Sequence, residues 1–144
     1  MQDLFGQDVE VFRGQPTERI SFSEKEIDTI TEDVIYSGML IEQMASNLKK
    51  VRAIKGTTNL TAVRRAAWVD LMWCFDLWDT PSKLPFDTAC DLVSADSEQI
   101  RSAISVQFAD EIRMMVTMIV STYPDEASRL QARLRPYLFV DQLH

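Results

Sequence analysis

A single histidine, two cysteines and four glycines in 144 residues close off several kinds of chemistry at once. His144 is the last residue, where chains fray, so neither a histidine general base nor a histidine-rich metal site is expected. So few glycines leave little from which to build a phosphate-cradling loop or a nucleophile elbow, and the glycine-patterned motifs of both are absent. Cys74 and Cys90 lie in apolar helical patterns without C-x-x-C spacing and read as reduced core thiols. No apolar run is long enough to cross a bilayer, and a start containing Asp3, Asp8 and Glu10 lacks the form of a secretory signal. The carboxylate pairs Glu32/Asp33 and Asp110/Glu111 are sequence neighbours on diverging helix faces and read as solvated. The expectation is a cytoplasmic non-enzyme with no catalytic residue, no cofactor, no metal and no membrane attachment.

Charge, by contrast, is plentiful and sorted. The formal net charge is -7, yet between Glu42 and Asp70 stand Lys49, Lys50, Arg52, Lys55, Arg64 and Arg65 with no acidic residue among them. Residues 1 to 33 hold nine acids against three bases, and residues 66 to 98 hold seven acids against Lys83 alone. One basic segment framed by acidic ones suits local capture of a polyanion or an acidic partner better than general coating of DNA. Lys49 to Lys55 stand where a long helix should stop, and cations there complement the helix dipole, so a solvated helix end also explains them. Arg64 and Arg65 fall in the first turns of the next helix, where cations oppose the dipole, so helix stability does not explain them. Together with Arg101, these six are candidate contacts to nucleic acid or an acidic protein.

A length of 144 residues with 46% apolar content fits one domain with a real core. Residues 1–20 have no helical period and contain Gly6, Gly14 and Pro16, so they read as an extended arm with one brief alternation at Val9 to Phe12. Within the arm, Asp3-Leu4-Phe5 resembles the end of the short Leu-Phe peptides by which replication proteins dock on bacterial sliding clamps. Residues 21–144 read as a single all-α domain, a bundle of five to six helices. Its first helix opens at overlapping capping boxes, Ser21/Glu24 and Ser23/Glu26. From there Ile27, Ile30, Val34, Ser37, Ile41, Met44, Leu48 and Val51 follow a heptad pattern, interrupted only by Ser37 with Gly38 beside it. Two readings stand: a seam that joins copies of the chain into an oligomer or hairpin arm, or a face packed inside one bundle. Lys55-Gly56-Thr57-Thr58-Asn59 ends that helix and caps the next.

The second helix is expected to reach about Trp78, where Asp79-Thr80-Pro81 halts it, with Trp68, Leu71, Met72, Phe75 and Trp78 on one face. Trp73 lies off that face, which makes it either a partner contact or part of a helix buried on all sides. From Val106 an apolar helix runs through Phe108, Ile112, Met115 and Ile119 until Pro124 breaks it. A last amphipathic helix from Asp125 sets Leu134, Leu138 and Phe139 beside Arg129, Arg133 and Arg135, either as a tail that docks on a protein partner or as the closing face of the core.

Between these, Phe86 to Val93, Ser94-Ala95-Asp96 and Ser97 to Ile104 read as helix, short turn, helix, with Asp96 capping and Gln99 three residues on. Residues 86–104 resemble a helix-turn-helix, in particular the pair that follows an aromatic-rich helix in small bacterial and phage regulatory proteins. Ala89, Cys90, Val93 and Ile100 stand where the two helices of that motif pack. Ser94 replaces the usual turn glycine, and the second helix presents Glu98, Gln99, Arg101 and Ser102, with Asp87, Asp91, Asp96 and Glu98 placed to repel phosphate. The resemblance implies a phage or mobile-element regulator of transcription or DNA metabolism in a bacterial cytoplasm, with a protein partner and DNA as a further candidate. The alternatives are a virion assembly or DNA-packaging component that forms a homo-oligomer through the heptad seam, and an acidic inhibitor that binds a host protein.

Overall fold

The structure is a computed structural model that describes residues 23–54, 59–78 and 84–139. The arm with its clamp-like peptide, Ser21, Lys55 and His144 lie outside those residues. The described residues form six helices and no strand, an all-α architecture: α1 (Glu24–Arg52), α2 (Ala62–Cys74), α3 (Phe86–Leu92), α4 (Ser97–Gln107), α5 (Ala109–Thr122) and α6 (Ala127–Leu134), with a 3-10 turn at Pro124–Glu126. The chain divides into two units, residues 1–33 and 34–144, and the division falls within α1.

In the first unit α1 starts at the second of the two capping boxes. Ser23 N–H donates to Glu26 Oε1 at 2.8 Å, and Glu26 N–H donates to Ser23 Oγ at 3.1 Å, so two end amides are satisfied reciprocally. The Ser23 amide also holds the Glu26 carboxyl below its ordinary range. Ile27 is half-buried and Ile30 is exposed.

In the second unit α1 turns Ser37, Leu40, Met44, Leu48 and Val51 inward. The inward face therefore takes in Leu40 and leaves Val34 and Ile41 half-buried, a wider stripe than a two-stranded coil uses and one that fits packing within a bundle. Ser37 is completely buried, and its Oγ has no hydrogen-bond partner. At Gly38 an added Cβ would come no closer than 4.0 Å to Val93 Cγ1, so α1 passes the turn after α3 at ordinary contact distance. The centre of the core is Leu71 and Leu77, Ile112, Met115 and Val116 of α5, and Leu130 and Leu134 of α6, all fully buried. The neighbours in contact are α2 with α5, α3 with α4, and α4 with α5, while the 3-10 turn joins α5 to α6.

Helix α2 stops at Cys74, not near Trp78. Leu77 N–H donates to Met72 O at 2.8 Å and Asp76 N–H to Trp73 O at 3.2 Å, with Asp76 at φ 55°; this pair of bonds closes a helix around a left-handed residue. The same device closes α3, where Ala95 N–H donates to Cys90 O at 2.8 Å and Ser94 N–H to Asp91 O at 3.2 Å, with Ser94 at φ 58°. Ser94 thus takes the left-handed conformation that a turn glycine would hold. Asp96 then caps α4 by accepting from Glu98 N and Gln99 N at 3.0 and 3.1 Å. The apolar helix expected from Val106 is instead split between α4 and α5, because Phe108, at φ -122° and ψ 29°, leaves the helical conformation.

Candidate functional site

The helix-turn-helix-like pair is held by one buried side chain, Arg101. Its Nε donates to Cys74 O at 2.7 Å, and its Nη1 lies 2.9 Å from Glu98 Oε2 and 3.0 Å from Asp87 Oδ1. The guanidinium sits 5.0 Å from the centroid of the Phe86 ring. α4 is thereby tied to the end of α2 and to the first turn of α3. Tyr137 extends the cluster by donating its hydroxyl to Glu98 Oε1 at 2.7 Å, and its ring meets Phe75 edge-on at 5.3 Å. Around Asp87, burial pushes the carboxyl up, but hydrogen bonds from Ser97 and Arg101 outweigh it and hold the group below its ordinary value. Burial likewise pushes the Cys74 thiol up to about 12 and raises Cys90, and both remain free thiols. Such thiols are poor nucleophiles and suit core residues.

The expectation that Arg101 meets a partner at the surface is therefore corrected. Its Nε and Nη1 are engaged inside the fold, where a guanidinium fork serves several acceptors at once. Among the residues that α3, the turn and α4 present outward are Asp87, Asp91, Asp96, Glu98, Gln99 and Ser102, with no exposed cation. The same correction applies to Arg64, whose side chain is 3% exposed. Its Nε donates to Glu111 Oε2 at 2.6 Å, its Nη1 to Asn59 O at 2.8 Å, and Trp68 Nε1 donates to Glu111 Oε2 at 2.7 Å. A cation in the first turn of α2 is thus explained by a buried partner on α5. Asp110 and Glu111 do diverge, but only Asp110 is solvated; Glu111 turns inward at 13% exposure.

The remaining basic candidates are at the surface. Lys49 and Lys50 are exposed in the last turn of α1, and Arg65 is exposed on α2. Arg52 is exposed too, but it donates to Gln107 Oε1 at 2.8 Å and lies 4.9 Å from the centroid of the Phe108 ring, bracing α1 against the α4–α5 junction.

The seam residues part company. Met44, Leu48 and Val51 belong to the core of this chain and cannot also form a seam with another copy; Ile27, Val34 and Ile41 are half-buried, and Ile30 is 46% exposed. Trp73 is not a partner contact: it is 3% exposed, donates its Nε1 to Leu84 O at 2.5 Å and meets Phe86 edge-on at 5.1 Å. The segment ahead of α3 covers the side of α2 that a single stripe leaves bare. Leu134 and Leu138 are also core residues, so the tail closes the bundle, and only Phe139 is exposed, at 69%.

Sequence reasoning reads Glu111 as solvated, which the structure corrects, and assigns no role to Asp70. Asp70, 2% exposed, accepts from Asn47 Nδ2 at 2.7 Å and joins α2 to α1. Glu111 carried a signal, since it falls three residues after Phe108 and four before Met115, on the buried side of its helix. Among the described residues no cluster of His, Cys, Asp and Glu could hold a metal ion, and no helix is long and apolar enough to cross a membrane. In comparisons with known proteins, no family model, curated protein or solved structure matches the chain.

Proposed function

We propose that this chain is a non-enzymatic regulatory protein that acts by contact with another protein, in transcription or DNA metabolism, and that its helix-turn-helix-like pair is a scaffold and not a DNA reader. The phage or mobile-element setting rests on the resemblance of residues 86–104. The observation that carries the reading is the fate of Arg101, the only cation in the pair, which is bound by Cys74 O, Glu98 and Asp87. A reading helix needs cations toward phosphate and donors toward base edges, whereas the exposed side of α4 is acidic and neutral. Contact with a protein is supported by apolar groups left in water, among them Ile35, Met39, Val106 and Phe139. A second reading, an assembly component, is favoured by α1, which keeps Ile35 and Met39 exposed after its inward face has been used.

The test is a titration of labelled duplexes of unrelated sequence at about 50 and about 200 mM salt, a range over which phosphate-driven binding collapses. The expected result is no binding at the higher salt. Any binding at the lower salt should be sequence-independent and lost in Lys49→Ala/Lys50→Ala/Arg65→Ala. Sequence-dependent binding that Gln99→Ala/Ser102→Ala removes would overturn the proposal.

A further inference from the structure

We draw no further inference here: the strongest candidate, the C-terminal segment that Tyr137 ties to Glu98 of α4, belongs to the Arg101 cluster already described, and the structure shows no second position that would make it a switch.

Discussion

Replacing Arg64 by alanine tests its place in the interior against the surface contact that the charge pattern of the sequence predicts. The structure makes Arg64 a buried cation with three donor contacts to Glu111 and Asn59, and it makes Glu111 the acceptor for Trp68 as well. Truncating one partner of such a pair leaves the other charge buried without compensation, which costs about 3–5 kcal/mol. For a domain of this size that is on the order of 10 °C in Tm. Arg65, next in sequence and exposed, is the internal control: its alanine variant should change stability by less than about 0.5 kcal/mol. Urea unfolding followed by tryptophan fluorescence measures both, because Trp68 sits in the affected cluster. Glu111→Gln sharpens the test, since it keeps an oxygen for Trp68 Nε1 while removing the charge opposite Arg64, and it should also destabilise. The reasoning is refuted if Arg64→Ala unfolds at the same urea concentration as Arg65→Ala and instead weakens polyanion binding more than Arg65→Ala does.

Ser94→Gly should stabilise the protein by about 1 kcal/mol, measured by urea unfolding, because Ser94 sits at φ 58°, where a side chain costs about 1–2 kcal/mol and glycine's extra chain entropy takes back part of the gain. Ser37→Ala should also stabilise, by about 1 kcal/mol in the same assay, since it removes a fully buried hydroxyl that has no partner. Asp87 sets a pH dependence. Its carboxyl is held below the ordinary value of 3.8, so its contribution is present above that value and is lost as the pH falls through the lower folded value. Acid unfolding of Asp87→Asn should accordingly begin from a less stable protein at neutral pH and show a shallower acid limb. An unchanged limb would remove Asp87 from the Arg101 cluster.

What was legible in the sequence was local. The Ser23/Glu26 box and the Asp96 cap join residues three or fewer apart, and a reader of the chain sees both partners at once. The α3–α4 pair was legible for the same reason. Arg64 was misread because Glu111 is 47 residues away, beyond the reach of any periodic pattern; the one clue was a cation where the helix dipole disfavours it. Arg101 was misread because its decisive acceptor is a backbone carbonyl, that of Cys74, which no side-chain pattern reveals. Trp73 looked surplus to a single stripe, but Leu84 and Phe86 come back to cover it. The long heptad pattern was real in spacing, yet Leu40 rather than Ile41 faced the core because a bundle helix needs a broader face than a coil.

The Arg101 cluster also bears on whether residues 86–104 could be lifted out as a portable module. Two of its supports lie outside the segment: the Cys74 carbonyl, which receives Nε, and Tyr137, which anchors Glu98. An excised peptide would keep the two helices, the turn and the Arg101–Asp87 pair but lose both, and with them the hold on Arg101 Nε and on Glu98. The likeness to a helix-turn-helix is thus a shape maintained in part by the surrounding chain, so grafting the twenty or so residues onto another scaffold would transfer the turn and the Asp87 contact but leave the Arg101 Nε donor and the Glu98 carboxylate without their partners outside the segment.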